Sequence, residues 1–261
     1  MVTSVENKER AMARLNDRIA ACTNCPLAKA RTNALCGEGA MDTRIMLVAL
    51  SPGRREDGCN RMFIGPSGVV LERLLRSAAV GRDEIYMTNL VKCILPRNRR
   101  PAMDEIRSCI PFLTEEIAII GPQIIVPLGY YAIRAVLTIY GAVPPTARRD
   151  YARLHGRLIL SRGQVIFPVP HPSSLLYRPA CEPRTAAYYR QLAVLMRTCP
   201  LYARCPVGRR YDRGLLPRRW IDRYCRGLWN TCSRYRLQER GDTVPDWMLP
   251  DGTRDEGPIA P

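Results

Sequence analysis

Four short apolar runs, each followed by a segment with a helical pattern, place the strongest constraint on how this 261-residue chain can fold. Each run has the length of a strand, and the segments between the runs carry apolar residues at helical spacing. The predicted strands cover residues 44–50, 84–90, 123–128 and 165–169, and the predicted helices cover residues 8–21, 69–79, 103–120, 129–140 and 184–197. This alternation predicts an α/β fold, a three-layer α/β/α arrangement around a central four-stranded parallel sheet.

Polar loops follow the first, second and fourth predicted strands. They cover residues 51–68, 89–101 and 171–179, whereas residues 141–157 fit no regular pattern and are interpreted as an irregular excursion. Ligands of parallel sheets bind beyond the carboxyl ends of the strands. We therefore expect the functional site in these three loops.

The charge of the chain indicates a polyanionic partner. The formal net charge is +16, and of the 40 basic residues all but Lys8, Lys29 and Lys92 are arginine. A GC-rich genome can explain arginine in place of lysine, but it does not explain the surplus of positive charge. Because arginine binds phosphate with two parallel hydrogen bonds, DNA is the expected partner.

No segment has the pattern of a signal peptide or of a membrane span. The first ten residues include several charged side chains and no apolar run. The longest apolar stretch, residues 117–137, is interrupted by Gly121-Pro122, by Pro127 and by Arg134. The sequence thus predicts a soluble, monomeric protein of the cytoplasm, associated with the nucleoid and not with a membrane.

Eleven cysteines favour metal or cluster ligation over disulfides, since no secretory signal is visible. We divide the chain into a domain of residues 1–198, a basic C-terminal module of residues 199–240, and a mobile, proline-containing tail of residues 241–261. The module contains four of the cysteines: Cys199, Cys205, Cys225 and Cys232. They predict either a second metal site, zinc or a cluster, or a helical segment with ordinary thiols.

The module also contains Trp220, Tyr224 and Trp229 among eleven arginines. These aromatic side chains can either stack on DNA or pack the small module itself.

Four segments of the chain carry a resemblance to one family. They are CTNCPLAKARTNALCGEG (residues 22–39), LSPGRREDGCNRMFIGPSG (50–68), YMTNLVKCILPRNRRPAMDEIRSC (86–109) and PVPHPSSLL (168–176). In this order and at these spacings they resemble the family-4, iron–sulfur uracil-DNA glycosylases of the uracil-DNA glycosylase superfamily. The resemblance runs from about residue 22 to about residue 197 and implies hydrolysis of the N-glycosidic bond of uracil in DNA, a step of base excision repair.

The resemblance implies a [4Fe–4S] cluster held by Cys22, Cys25, Cys93 and Cys109. Four thiolates are the usual ligand set of such clusters, although zinc also accepts four cysteines. Because base release needs no redox step, the implied role of the cluster is structural.

The resemblance also implies a base pocket after the predicted strands, and its substrate-binding residues include Leu50, Ser51, Pro52, Gly53 and Phe63. Phe63 would stack on a flipped base. Asn89 can accept from uracil N3–H and donate to O4, a pattern that cytosine reverses. His171 would stabilise the negative charge on uracil O2, whereas His155 has no such context and is interpreted as surface or structural.

The pocket departs from the family pattern at two places. Leu50 stands where the family has the glutamate of a Gly-Glu-x-Pro-Gly segment, and leucine cannot orient or deprotonate water. We expect Glu56 or Asp57 to take that catalytic role. Cys59-Asn60 replaces the usual small residues. Two alternatives stay open: a glycosylase for a modified pyrimidine, which both departures favour, and a protein that binds uracil or abasic DNA without turnover, which Leu50 alone supports.

Residues outside the base pocket are expected to bind the DNA strands. Ser173 and Ser174 can bind flanking phosphates, and the apolar tip formed by Leu175, Leu176 and Tyr177 can wedge into the gap left by the flipped base. The predicted backbone contacts are Arg97, Arg99 and Arg100. The alternatives are core packing for the tip and a solvated charge run for the arginines.

Overall fold

A computed structural model describes residues 4–226 and 229–254 of the chain. A mixed sheet of six strands lies at its centre: β1 (Glu38–Gly39), β2 (Ile45–Ala49), β3 (Ile85–Asn89), β4 (Ile124–Pro127), β5 (Ile159–Ser161) and β6 (Gln164–Ile166). Their order across the sheet is β1-β3-β2-β4-β6-β5. The four inner strands are parallel, and β1 and β5 pair antiparallel at the two edges.

The predicted α/β class is confirmed, but the predicted count of four strands is wrong, because two strands of the sheet were missed. β1 has two residues, and β5 and β6 form a hairpin through Arg162 and Gly163, both with positive φ (45° and 78°). Strands of two or three residues are too short for an alternating pattern to stand out from a loop.

Helices cover both faces of the sheet. They are α1 (Ser4–Ala20), α2 (Arg54–Cys59), α3 (Pro66–Ser77), α4 (Met103–Ile120), α5 (Tyr130–Ile139), α6 (Ser174–Tyr177), α7 (Glu182–Arg197), α8 (Pro206–Asp212), α9 (Arg218–Trp220) and α10 (Ser233–Glu239). Helices α1, α4 and α5 pack against one face and α3 and α7 against the other. Both faces of β2 are therefore buried, with Met46 and Val48 on one side and Ile45, Leu47 and Ala49 on the other, which explains its uninterrupted apolar run.

The order of the strands creates a crevice at one end of the sheet. The chain passes from β2 to β3 on one side and then crosses to β4 on the other side of β2. At such a reversal the loops beyond the carboxyl ends of neighbouring strands diverge and leave room for a ligand. The predicted excursion of residues 141–157 includes a 3₁₀ helix, Arg148–Leu154, beside this crevice.

The C-terminal module lies at the opposite end of the sheet. The Arg44 guanidinium, just before β2, is 6.0 Å from the centre of the Trp229 ring. A Cβ atom at Gly163, just before β6, would come within 2.6 Å of the Glu239 carbonyl oxygen, so α10 ends against the β5–β6 turn. The module therefore contacts the amino ends of the strands.

Part of the predicted tail packs on this module. Ser233 N–H donates to the Pro250 carbonyl at 2.7 Å, and Arg234 Nη1 donates to the carbonyls of Pro245 and Met248 at 2.5 and 2.7 Å. Residues 255–261, where the rest of the predicted tail falls, lie outside the described residues. In the described part of the chain, no helix is both long and apolar enough to cross a bilayer.

Candidate active site

A cleft of about 580 Å³ opens beyond the carboxyl ends of the parallel strands. This volume is in the range of small-ligand sites. Residues after β2, β3, β4 and β6 line it, as expected for this topology. The predicted site residues that line the cleft are Leu50, Ser51, Pro52, Gly53, Glu56, Phe63, Asn89, Arg99, His171, Ser173 and Leu176.

Asn89 is the last residue of β3, and its side chain is 2% exposed. It pairs in register with Ala49 at the end of β2, so the sheet itself fixes its backbone. Its Nδ2 atom is 3.2 Å from the sulfur of Met62, which also lines the cleft. The amide is therefore a rigidly held polar group in an apolar wall.

The His171 ring is held in one tautomer by the loop that follows it. The Ser173 backbone N–H donates to Nδ1 at 3.1 Å, and the Ser173 hydroxyl lies 2.8 Å from the same nitrogen. A backbone N–H can only donate, so Nδ1 is an acceptor and the proton of the neutral ring resides on Nε2. Burial lowers the pKa of His171 to about 4, so the ring is neutral at pH 7.

Phe63 faces His171 across the cleft. The two ring centroids are 6.3 Å apart with an angle of 31° between the planes. Phe63 has a φ of 51°, an unusual value for a bulky side chain. A Cβ atom at residue 68 would lie 1.8 Å from the Phe63 carbonyl oxygen, so only glycine allows the chain to approach Phe63 this closely.

Glu56 lies on α2, with its side chain 8% exposed and its carboxylate against two glycines. Its Oε1 accepts a hydrogen bond of 2.8 Å from the Gly65 N–H. Its Oε2 lies over Gly53, where a Cβ atom would approach it to 2.7 Å. The two glycines thus allow a buried carboxylate to reach the cleft.

Asp57 does not line the cleft, although it is next to Glu56. Its carboxylate accepts from the backbone N–H groups of Thr32 (3.0 and 3.1 Å) and Asn33 (3.2 Å). It holds the N-terminal loop in place. The catalytic role predicted for Glu56 or Asp57 therefore has only Glu56 at the cleft.

The second departure from the family pattern also lies away from the cleft. Cys59 is exposed, and Asn60 ends α2 in the left-handed conformation with a φ of 51°. Neither residue is among those that line the cleft. The expectation that both departures alter the pocket is therefore corrected, and Leu50 is the departure that remains there.

The predicted DNA-binding tip divides into a core residue and an exposed part. Leu175 is 4% exposed and belongs to the core on the α3–α7 face, so packing, rather than insertion into DNA, is its structural role. Leu176 and Tyr177 are 46% and 84% exposed at the edge of the cleft. Ser174 begins α6 and does not line the cleft.

The predicted arginines differ in how they are held. Arg99 lines the cleft but forms a two-pronged ion pair with Glu105, with N–O distances of 2.5 and 2.9 Å. Arg97 and Arg100 are exposed and do not line the cleft.

Two aromatic residues of the C-terminal module pack the module itself. Trp229 is fully buried, and Tyr224 is 8% exposed.

Several residues of the cleft were not predicted from the sequence. Arg148 lies on the excursion, with its guanidinium 4.9 Å above the Tyr130 ring, and both line the cleft together with Tyr131. Gly129 has a φ of 77° and lies so close to the His171 loop that a Cβ atom would be 3.1 Å from His171 Cβ. A glycine directly after a predicted strand was the one available signal, whereas nothing in the pattern marked Arg148.

The cysteines of the predicted cluster lie together beside the α1–α4 core. Cys93 and Cys109 are buried in that core, and Cys22 and Cys25 pack against it. Burial raises the pKa of Cys109 to about 11, and the charges of Cys93 and Cys25 raise it as well. Arg31 Nη1 is 3.2 Å from the Cys93 sulfur.

These four thiols do not converge on a single point. Within residues 4–226 and 229–254, no three Cys, His, Asp or Glu side chains are placed to hold one metal ion. Four neighbouring thiols with a cationic donor fit a cluster, whose irons each take one thiolate, better than they fit one zinc ion.

Comparison with known proteins defines the class to which this fold and cleft belong. The sequence model of the uracil DNA glycosylase superfamily matches residues 36–193, more than half of the chain. The chain therefore belongs to the uracil DNA glycosylase superfamily. The match stops before the four cysteines of the C-terminal module.

Within that superfamily, the chain is similar to type-4 uracil-DNA glycosylases. It is 36% identical over 178 residues to the enzyme of Thermotoga maritima, covering 68% of this chain and 89% of that protein. It is 33% identical over 170 residues to the enzyme of Sulfurisphaera tokodaii, covering 65% and 77%. A DNA polymerase of Bacillus phage SP01 is 31% identical over 144 residues, which cover 55% of this chain and 15% of the polymerase. The family resemblance predicted from four short segments is confirmed.

Proposed function

We propose that this chain is a DNA glycosylase that hydrolyses the N-glycosidic bond of uracil in DNA, as a step of base excision repair. The observation that carries the proposal is that Asn89 and His171, from two different strand ends, line one cleft. A base within a duplex cannot reach such a cleft, so the target nucleotide must first flip out of the stack.

His171 stabilises the leaving base in this proposal. Its Nδ1 accepts the Ser173 N–H, so Nε2–H is free to donate to uracil O2 as negative charge develops there. A donor that is already oriented needs no rearrangement when the bond breaks, and such donors contribute about 10²–10³-fold in rate. Burial strengthens the interaction, because water does not compete for the oxygen.

Asn89 and Phe63 select and hold the base. Asn89 accepts from N3–H and donates to O4 of uracil, and it presents the wrong pattern to cytosine. Its burial makes the mismatch costly, since a displaced water cannot compensate the unpaired groups. Phe63 supplies a flat surface for the face of the base.

Glu56 orients the attacking water in place of the glutamate that Leu50 has replaced. Its Oε1 accepts a hydrogen bond from the Gly65 N–H, and its Oε2 lies over Gly53, in the same loop as Leu50. Leu50 makes this part of the cleft apolar. Among the described residues that line the cleft, Glu56 is the one that carries a carboxylate.

Cys22, Cys25, Cys93 and Cys109 would hold the family's [4Fe–4S] cluster. When bound, the cluster supplies structural cross-links between the N-terminal loop and the segment that carries Arg97, Arg99 and Arg100. Those arginines, together with Arg54, Arg55 and Arg148 at the cleft, would neutralise DNA phosphates. We expect the protein to act on DNA of the nucleoid as a monomer.

A panel of oligonucleotides with different central bases, single-stranded and duplex, tests the proposal. Alkaline cleavage after incubation reveals each abasic site. Breaks at uracil, and not at cytosine or thymine, are the expected result. Binding to uracil-containing DNA without breaks would instead identify a protein that recognises the lesion without turnover.

A second candidate substrate is a modified pyrimidine, and Leu50 is the observation that favours it. An apolar side chain at the cleft can accept a substituent that a glutamate would reject. The same panel distinguishes this candidate, because breaks would then occur at a modified base and not at uracil.

A further inference from the structure

The C-terminal module contains its own cavity, of about 110 Å³, and all four of its cysteines line it. They come from four separate places: Cys199 follows α7, Cys205 precedes α8, Cys225 ends the π-helix Ile221–Cys225, and Cys232 precedes α10. The Cys199 N–H donates to the Cys225 carbonyl at 2.6 Å, so the backbone itself brings these segments together. None of the four cysteines forms a disulfide.

Two buried N–H donors at the same cavity have no hydrogen-bond partner within the described part of the chain. They are Nε1 of Trp229, which is fully buried, and Nε of Arg234, which is 5% exposed. Both side chains line the cavity. Buried donors in native proteins are nearly always satisfied, so the pair indicates an acceptor inside the cavity.

The size of the cavity argues against a single metal ion. One zinc ion draws its four sulfurs to within about 2.3 Å of one point. No such convergence of Cys, His, Asp or Glu exists among the described residues, in this module or elsewhere. A volume of about 110 Å³ instead has room for several water-sized groups, each of which needs about 10–15 Å³.

We propose that Cys199, Cys205, Cys225 and Cys232 hold a second [4Fe–4S] cluster, one that the glycosylase family does not supply. Each thiol loses its proton to solvent as its bond to iron forms. Sulfur atoms of the bound cluster would accept hydrogen bonds from Trp229 Nε1 and Arg234 Nε. Hydrogen bonds to the sulfurs are a normal part of such sites.

The surroundings of the cavity match the negative charge of a thiolate-bound cluster. The guanidinium groups of Arg204 and Arg234 belong to side chains that line it. The module carries eleven arginines against Asp212, Asp222 and Glu239, a net of 11 − 3 = +8. Cations around a ligand set favour the deprotonated, metal-bound form of the cysteines.

The module also lacks a core large enough to stand alone. Together with Leu249 of the following segment, its buried apolar residues form two clusters, around Trp229 and around Ile221, with five buried members each. Small units of this kind are usually stabilised by disulfides or by a metal. Because the module contacts the amino ends of the strands, away from the cleft, we infer a structural cluster that is independent of base release.

Iron and acid-labile sulfide per chain, measured on full-length protein prepared without oxygen, test the proposal. We expect Cys225→Ser to halve both quantities and Cys22→Ser to halve them independently. Cys181→Ser, an exposed cysteine outside both sets, is the matched control and is expected to change neither. Unchanged iron in Cys225→Ser would overturn the second cluster, as would loss of one zinc instead of iron. Unchanged iron in Cys22→Ser alone would contradict only the family cluster.

Trp229→Phe provides a test that keeps all eight cysteines. It removes the Nε1–H donor and retains an aromatic ring, so iron content is expected to stay constant while one of two reduction potentials becomes more negative. Trp220→Phe is the matched control, since Trp220 does not line the cavity. If no reduction potential differs between Trp229→Phe and Trp220→Phe, the proposal is contradicted even if Cys225→Ser fails to fold.

Discussion

The glycosylase domain and the C-terminal module each bring four cysteines together, but very different amounts of apolar core surround the two sets. In the domain the core extends over both faces of a six-stranded sheet, and the cysteines lie at its margin. In the module two small clusters of buried residues surround the cysteines themselves. The domain can therefore obtain its fold from hydrophobic burial, whereas on our proposal the module would depend on the cluster that its cysteines bind.

The two regions also lie at opposite ends of the central sheet. The cleft lies at the carboxyl ends of the strands and the module contacts their amino ends. Catalysis is thus expected to depend on a few side chains of the domain and to be insensitive to the module.

The largest effect is expected for His171→Ala. Loss of the oriented Nε2–H donor should lower the single-turnover rate on uracil-containing DNA by about 10³-fold. Asn89→Ala should have a comparable effect, because the base is then neither recognised nor held.

Cys225→Ser is the comparison from the module. Because the module lies away from the cleft, this variant should change the rate less than about twofold. A module variant as slow as His171→Ala would show that the two regions are not separate.

A smaller loss, of about 10²-fold, is expected for Glu56→Gln. Glutamine keeps the size of the side chain and can still accept the hydrogen bond from the Gly65 N–H. It cannot deprotonate water or orient it with a negative charge. The neighbouring Asp57→Asn is the matched control. It weakens the anchor to Thr32 and Asn33 and should cost about 1–3 kcal/mol in free energy of unfolding with little change in rate. If Asp57→Asn slows base release more than Glu56→Gln, the assignment of the water-orienting carboxylate is reversed.

The pH dependence gives a third prediction. Burial lowers the pKa of His171 from 6.5 to about 4, so the neutral ring persists well below pH 6.5. The rate should be flat through pH 6.5 and fall tenfold per unit only below about pH 4, where a protonated Nδ1 would face the Ser173 N–H. A fall in rate centred near pH 6.5 in a pH–rate profile would contradict the tautomer that we infer.

The same shift affects stability with a defined sign. Between pH 6.5 and about 4 the unfolded chain binds a proton at residue 171 that the folded chain does not. The free energy of unfolding therefore decreases as pH falls through this window. Burial also lowers the pKa of His155 to about 4, so His171→Ala should remove only part of this dependence in chemical denaturation experiments.

Sequence reasoning succeeded where a periodic pattern or a family motif was present. The four parallel strands and the helices between them have long apolar patterns, and Asn89 and His171 lie where strands end. Features without such a pattern were not predicted. The edge strands β1 and β5 are too short to detect, and Arg148 reaches the cleft from a segment without regular periodicity. Glu56 and Asp57 are adjacent and chemically alike, and only the fold reveals that one faces the cleft and the other the N-terminal loop.

The smallest effect concerns two adjacent leucines that the sequence could not distinguish. Leu175 is 4% exposed and Leu176 is 46% exposed. Leu175→Ala should lower the free energy of unfolding by about 2–5 kcal/mol, because it leaves a hole in the core on the α3–α7 face. Leu176→Ala should leave stability nearly unchanged and weaken productive DNA binding by about 1 kcal/mol, several-fold in KM, because on our proposal bound DNA would bury the exposed part of the side chain.

Denaturant unfolding together with steady-state kinetics on uracil-containing duplex separates these two effects. A several-fold change in KM with constant unfolding energy is the expected result for Leu176→Ala, and the reverse is expected for Leu175→Ala. Equal losses of stability in the two variants would mean that Leu176 also packs against the domain. The exposed tip would then be Tyr177 alone, and the wedge that separates the flipped base from its neighbours would have to be aromatic.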